Sequence, residues 1–386
     1  MQFLNRITEA LDEEQILKDL TEGISGQFDL AILFITPWQP YDPKDIYNGL
    51  VKKISARHVM CCTCAGIVGA EREIEGRPGA SLFLARLPGV IISPFYLNQV
   101  QLEGLRTPEE IYNFFEIYPN ENPTFFVLPD PYAFDTNRFL KILNQGYKDA
   151  AIVGGLASAA TGPGENLLIL DGEVYEEGLM GITLSGAVRI ETVVSQGCRP
   201  VGETFIITKA KDNIIYELGG QPFYKALEEV IKSGTDYDRH LAHESIFIGI
   251  AMNENKQKFR RGDFLIRPVM ALDPDNGAGA IGDMVAVGQT VQFHLRDAKT
   301  ASDDLHELLR RQRLKYEQLP KGALVFSCNG RGLGLFKEHH HDIKIIQKHL
   351  GPLQAAGFFC SGEIGPVSGI NFLHGFTNSM ALFYDK

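Results

Sequence analysis

Three glycine-rich turns carry the residue types best suited to gripping a small molecule. Cys64-Ala-Gly66-Ile-Val-Gly69 and Cys360-Ser-Gly362-Glu363-Ile-Gly365 share the pattern Cys-x-Gly-x-x-Gly, and Cys328-Asn329-Gly-Arg331-Gly332 is a third such turn. A strand that runs into glycines brings main-chain N–H groups close to whatever fills the crevice. Those N–H groups can hold a carboxylate, as can the guanidiniums of Arg331 and Arg296. Glu363 adds a negative group that suits an amine. The plainer alternative is that Glu363–Arg331 and Arg296–Asp297 are internal salt bridges.

Other constellations are less suggestive. Cys61 and Cys64 form a C-x-x-C spacing, but on a strand residues three apart point to opposite faces, so both sulfurs do not readily meet one metal. A thiol nucleophile at Cys360 or Cys328 would need a base, and His374 is the attractive candidate. Small buried cysteine is the commoner role. Gly330-Arg-Gly-Leu-Gly334 follows a strand but has neither the Rossmann spacing nor the P-loop lysine. His339-His-His341 sits beside Glu338 and Asp342 and reads as a solvated run. No metal is expected. Haem would need one axial ligand, for which His58, His240, His243 and His294 are the candidates, and Cys-x-x-Cys-His is absent.

The elements that position these turns recur three times: an apolar strand, an amphipathic helix, and a second strand ending in small residues. The first copy runs from Phe28 to Gly69, with Asp42 as N-cap, Pro43 at the first helical position, and Ile46, Leu50 and Ile54 on one face. The second runs from Thr124 to Ala160, with Asp135 as cap and Phe139, Leu140 and Leu143 facing inward. The third runs from Gly322 to Gly365, with Asp342 as the expected cap and Gly351-Pro352 as the stop. Further strand-like runs, Ala80–Ala85, Leu167–Leu170, Met180–Leu184, Phe205–Thr208, Ile246–Ala251 and Val291–Leu295, point to mixed rather than purely parallel sheets. The charged stretch Met252 to Arg261 reads as a loop. The expected fold is α/β in the mixed α+β sense: two related lobes of mixed sheets flanked by helices, built from repeated strand-helix-strand units.

The 386 residues suit two lobes, and a formal net charge of −11 argues against nucleic acid as a partner. Neither a leader-like start nor an apolar run of about 18 residues is present, so no membrane partner is expected and a cytoplasmic location is. Three of the six cysteines fall within four residues, a poor disulfide framework, so reduced thiols are expected.

The chain resembles the FIST domain, found in bacterial signal-transduction proteins and in a eukaryotic F-box protein. The resemblance covers nearly the whole chain after about residue 25. It is carried by Cys64–Gly69 with Glu71-Arg-Glu-Ile-Glu75, by Leu87-Pro-Gly-Val90, Val153-Gly-Gly155 and Val194-Ser-Gln-Gly-Cys-Arg-Pro200. In the C-terminal half it is carried by Phe293-His-Leu-Arg-Asp297, Phe326–Gly332, Gly357–Pro366 and Asn371-Phe-Leu-His-Gly375. Ser368 and Ile370 depart from it, where the family has glycine and arginine. The resemblance implies residues 1–25 as an N-terminal helix, 26–215 as a FIST N-type lobe and 216–386 as a FIST C-type lobe. It implies a sensory module that binds an amino-acid-like ligand between the lobes and signals to a downstream partner such as a kinase or cyclase, rather than an enzyme. Some similar bacterial proteins are haem-containing nitric oxide sensors, which keeps a gas sensor as an alternative beside the thiol enzyme. The candidate ligand-binding set is Cys64, Gly66, Arg296, Cys328, Asn329, Arg331, Cys360, Gly362, Glu363, Asn371 and His374.

Overall fold

A computed structural model of the chain describes residues 1–38, 40–244, 246–256, 258–259 and 262–386, with the side chains of His243 and Glu244 outside the described set. The chain divides into two compact units. Unit 1 is Met1–Ser195 with Leu305–Lys386, and unit 2 is Gln196–Asp304.

Unit 1 contains three six-stranded mixed sheets with one topology. At the centre of each lies a parallel pair: Gln27–Ile35 with Ser55–Thr63, Thr124–Pro129 with Ile152–Gly155, and Gly322–Cys328 with Gln354–Cys360. These are the three strand-helix-strand units expected from the sequence. A helix covers each crossover: Pro43–Lys53, Thr136–Gly146 and His341–Leu350. A return strand pairs antiparallel with the first strand of each unit: Ala80–Arg86, Leu179–Gly186 and Asn378–Tyr384. Outer strands Gln2–Thr8, Val90–Leu97 and Arg189–Ser195 complete that edge.

The other edge is exchanged between repeats. The hairpin that follows each second strand pairs with a different sheet. Gly66–Val68 docks on Gln354–Cys360, Leu168–Leu170 on Ser55–Thr63, and Glu363–Val367 on Ile152–Gly155. The registers agree across the three sheets, with Ile35 opposite Ala80, Pro129 opposite Leu179 and Ser327 opposite Asn378. Positions can therefore be matched residue by residue. Cys64, Ala157 and Cys360 are equivalent, as are Thr36, Asp130 and Cys328. Gly154 and Gly357 are equivalent too. Each lies where a side chain would strike the carbonyl oxygen of the neighbouring parallel strand, of Val127 and Val325 respectively.

The inner faces of the three sheets share one core, to which Phe34, Cys62 and Cys64, then Phe126 and Ala157, then Phe326, Phe358 and Cys360 contribute. The Phe34–Phe358 and Phe126–Phe326 centroids are 5.1 and 5.7 Å apart. Each such ring contributes about 1.5–3 kcal/mol on burial. The outer faces are covered by helices, and Cys61 lies there with Ile46, Tyr47 and Leu50. Cys61 and Cys64 thus face opposite ways, as strand geometry requires. The caps at Asp42 and Asp135 form as expected, accepting from Lys44 N at 2.8 Å and Arg138 N at 2.9 Å.

Unit 2 is inserted in the third repeat, between its outer strand and its parallel pair. It is an antiparallel sheet of seven strands in the order Cys198–Lys211, Thr290–Arg296, Ile246–Ala251, Phe264–Asp273, Ala278–Ile281, Ile214–Leu218, Gln221–Pro222. Pairing of Cys198–Lys211 with Ile214–Leu218 closes it into a barrel. A register shift between Val201 and Thr204 bends that long strand so that it serves both neighbours. Phe223, Ala226, Leu227 and Val230 of the helix Phe223–Ser233 pack on Ile248, Val291 and Phe293 inside.

Three expectations change. Residues 1–25 hold the strand Gln2–Thr8 before the helix Glu13–Thr21, because Phe3 joins the shared core with Phe83. Asp342 is not a cap: the helix begins at His341 with His340 as its cap, and Asp342 turns inward to an arginine. The histidine run is not simply solvated, since His341 is buried and stacks on Phe336 with centroids 3.5 Å apart. Most of Met252 to Arg261 falls between the strands Ile246–Ala251 and Phe264–Asp273, with Gln257, Arg260 and Arg261 outside the described residues.

Candidate functional site

The strand-end corners of unit 1 are tied to one another. Ala65 N donates to Ser158 Oγ at 3.0 Å, and Ser158 Oγ donates to Phe359 O. Asn329 N donates to Cys360 O at 2.9 Å, and Leu156 N to Gly362 O at 2.8 Å. Corners from all three repeats therefore converge. Ala65, Asn329 and Ser361 are exposed at their tips, while Cys64, Cys360, Gly66 and Gly362 are buried beneath. A side chain at Gly66 would strike Phe359, and one at Gly362 would strike Leu156.

Arg331 is fully buried. Its Nε donates to Asp342 Oδ2 at 2.7 Å and its Nη2 to Oδ1 at 2.9 Å. Ser327 Oγ, Asn378 Nδ2 and His341 Nδ1 also contact this carboxylate, at 3.1, 3.0 and 3.0 Å. Burial works to raise the Asp342 pKa, but Arg331 and then His341 outweigh it and hold the group below the usual carboxylate range. Arg331 binds Asp342, eleven positions on, and its charge also acts on the Glu363 carboxyl.

Glu363 is fully buried at a position where the other two repeats carry Ile67 and Leu168. Its Oε2 accepts from Thr377 N at 3.0 Å, and Oε1 is buried with no hydrogen-bond partner. Burial pushes this carboxyl well above its ordinary pKa, against the pull of Thr377 N–H, the Cys328 thiol and Arg331. A second buried acid, Glu73, stands where the other repeats carry Val174 and Leu373. It accepts from Ile343 N at 2.9 Å, while its own N–H donates to His340 Nδ1 at 2.9 Å. Burial first, then Asp342, pushes Glu73 up to about 8.

The remaining candidates are dispersed. Asn371 is buried and occupied: its Nδ2 donates to Asn144 Oδ1 and Ala150 O, and its Oδ1 accepts from Ile152 N. His374 lies opposite Glu363 across the hairpin and bonds Gly365 O at 2.9 Å. Arg296 belongs to unit 2, opposite Cys198. The acid beside it, Asp297, is bound by Arg199 at 3.1 Å. Hollows of about 310 Å³ by Asn144 and Phe372 and about 460 Å³ by Asn5 and Ala70 open elsewhere on unit 1, and neither touches the corners.

The thiols and histidines can be placed in the same way. Burial raises the thiols of Cys61, Cys62, Cys64 and Cys360, the opposite of what a nucleophile needs. Among the described residues, no group of three or more His, Cys, Asp or Glu side chains is placed to hold a metal ion. His58 Nδ1 is held by Asp171 at 2.8 Å, and His294 Nδ1 by Gln292 O at 2.9 Å with its ring against Phe264. Neither ring lines a hollow named above. His240 lies on the helix Asp236–Glu244, and the His243 side chain is outside the described set.

The FIST N domain is matched over residues 29–221 and the FIST C domain over residues 224–366. The chain belongs to the FIST family. FIST domains are associated with sensory roles in signal transduction. Uncharacterized proteins of Mycobacterium tuberculosis, from strains CDC 1551 / Oshkosh and H37Rv, are 37% identical over 364 residues, 94% of this chain and 93% of theirs. An uncharacterized protein of Mycobacterium bovis is 36% identical over 342 residues, 88% of this chain and 86% of its own. No described helix of this FIST protein is long and apolar enough to cross a membrane.

The threefold arrangement of the FIST chain brings in residues that the motifs did not single out. Asp130 is the counterpart of Cys328, fully buried, accepting from Tyr132 N, Ala133 N and Asn166 Nδ2. Ser158 ties two corners together. The signal for Asp130 was present as Leu128-Pro-Asp-Pro131 at a strand end, but the second repeat closes on Gly154-Gly155 without a cysteine and so does not match the other two by eye.

Proposed function

We propose that this FIST protein is a sensory module that binds a small, amino-acid-like ligand at the converging corners of unit 1 and passes the signal to a separate protein such as a kinase or cyclase. The observation that carries this reading is the convergence itself. Both sequence halves send a glycine-containing strand end to one place, where Ala65, Asn329 and Ser361 are exposed and where the third repeat buries a carboxyl, Glu363, at a position that the other two fill with Ile67 and Leu168. Binding sites concentrate where loops are set on a rigid scaffold and a few polar groups converge. The raised thiols favour binding over thiol catalysis at Cys360.

The experiment is native mass spectrometry of purified protein, with an absorbance spectrum of the same sample. A co-purifying small molecule that is lost in Glu363→Leu supports the reading. A bare protein that takes up no member of an amino-acid panel removes it, and a strong Soret band would replace it with a haem sensor.

A further inference from the structure

The third repeat does not fasten its own helix as the other two do. Asp42 and Asp135 cap the helices of the first two repeats, whereas among the described residues no N-cap side chain closes Gly332–Phe336 or His341–Leu350. The connection is also longer. Residues 37–42 and 131–135 lead from Thr36 and Asp130 to the first two helices, and residues 329–340 lead from Cys328 to the third. Within that segment Lys337 and His340 have φ of 56° and 62°. Such values persist in residues other than glycine where surrounding contacts enforce them.

Those contacts come from the first repeat. The hairpin of Gly66–Val68 and Glu73–Glu75 seats on Gln354–Cys360. From it, Glu75 accepts from Leu333 N, at 3.0 and 3.1 Å to its two oxygens. Glu73 Oε1 accepts from Ile343 N at 2.9 Å, although the two residues are 270 positions apart. The Glu73 N–H donates to His340 Nδ1 at 2.9 Å. Two acids of one strand thus hold both helix starts of the third repeat.

The charges facing Glu73 are uneven. Asp342 and Glu75 act on it as acids and Arg331 as a cation, and Asp342 already takes the Nε and Nη2 of that guanidinium. His341 lies on Asp342, while His339, Lys344 and Arg77 act on His340. A helix start favours an ionised carboxylate, but an ionised Glu73 would face two like charges in the interior. A proton kept on Glu73 removes that repulsion.

We propose that the hairpin bearing Glu73 and Glu75 is a proton-sensitive clasp: with Glu73 protonated it holds residues 329–340 closed, and rising pH favours their release. Asn329, whose N–H donates to Cys360 O at the corners, belongs to that segment, so the exposed tip responds to pH through the clasp. Its action does not depend on what the corners bind. With the segment open, Glu73 returns to its ordinary 4.5 and gives up the proton that the closed form keeps up to about 8. Opening is therefore favoured as pH rises between those values. Glu75, raised chiefly by burial, acts in the same sense. His340, lowered from 6.5 by burial first, acts in the opposite sense below 6.5, because the closed form keeps it neutral where the open form protonates it. From 6.5 to about 8 Glu73 acts without that opposition.

The test is hydrogen–deuterium exchange of the full chain, with each rate referred to the unstructured peptide at the same pH. Protection of the peptide spanning 329–343 should fall by about 10-fold between 6.5 and about 8. It should stay below that of the helix Pro43–Lys53 throughout, which marks local opening rather than unfolding of the unit. Glu73→Gln keeps an acceptor for Ile343 N and cannot titrate, so its protection should be level across the same range. Constant protection in the parent overturns the proposal, as does a fall that persists in folded Glu73→Gln. Exchange of the segment only together with Pro43–Lys53 overturns it as well, and this is read on the parent alone even if the variant does not fold.

Discussion

Arg331 Nε and Nη2 meet Asp342 Oδ2 and Oδ1 at 2.7 and 2.9 Å, and both side chains are buried beneath the helix His341–Leu350. The pair fixes the turn after Gly322–Cys328 to the start of that helix. Removing one partner leaves the other charged in the interior, which costs about 3–5 kcal/mol. Arg331→Ala should lower the urea midpoint accordingly. The double variant Arg331→Met with Asp342→Leu should lose less than either single change implies, since no orphan charge remains. A midpoint unmoved by Arg331→Ala would show that the pair holds nothing.

Glu73 makes a pH dependence of opposite sign to that of a salt-bridged acid. Burial and the nearby Asp342 raise it to about 8 from an ordinary 4.5. Between those values the folded chain keeps a proton that the unfolded chain has released. Stability therefore falls as pH rises through this window, at most ~1.4 kcal/mol per pH unit. Asp342, whose pKa is depressed, loses its contribution only as pH falls below the usual carboxylate range, so the windows are separate. Glu73→Leu, the residue of the equivalent position 373, should flatten the slope between its ordinary 4.5 and about 8 in chemical denaturation. An unchanged slope would assign the dependence to other groups.

Equivalent glycines should fail equivalently. A Cβ at Gly154 would lie 1.8 Å from Val127 O, and one at Gly357 would lie 1.7 Å from Val325 O. Backbone oxygens in a sheet cannot yield as a side chain can, so Gly154→Ala and Gly357→Ala should each cost at least ~1–3 kcal/mol. Gly334, which has nothing within 4 Å, is the control: Gly334→Ala in a short surface helix should be neutral or slightly stabilising. Thermal unfolding of the three variants decides it. A neutral Gly357→Ala would mean that the third sheet is not built on the register described.

Much of this arrangement was legible in the sequence where the signal was local. The three parallel pairs follow from apolar strands joined by capped amphipathic helices, and Asp42 and Asp135 cap as their spacing says. Asp342 fails as a cap because its partner, Arg331, sits eleven residues back across a turn, a contact that no short-range rule reads. The exchange of hairpins was not legible either. Gly66–Val68 pairs with a strand about 290 residues away, and pairing at such separation depends on the shape of the whole unit rather than on the segment. Glu363 stood out in its motif, but that it and Glu73 occupy positions filled by aliphatic residues in the other repeats could be seen only after that register was known. Barrel closure in unit 2 is similar, since Phe205–Thr208 reads as a strand while its second neighbour does not declare itself.

The thiols offer a direct test of binding against catalysis. Cys62, Cys64 and Cys360 point into the shared core, and Cys61 points to the helix-covered face. All are buried, and burial raises their pKa values, with Glu363 next in effect at Cys360. A thiol reacts as the thiolate, so both access and ionisation are suppressed. In native protein at neutral pH these four should react with an aromatic disulfide reagent only as fast as the unit opens, and all six cysteines should react at once in denaturant. Fast, selective labelling of Cys360 in the folded chain, abolished by His374→Ala, would instead place a working nucleophile there and return the thiol enzyme to the front.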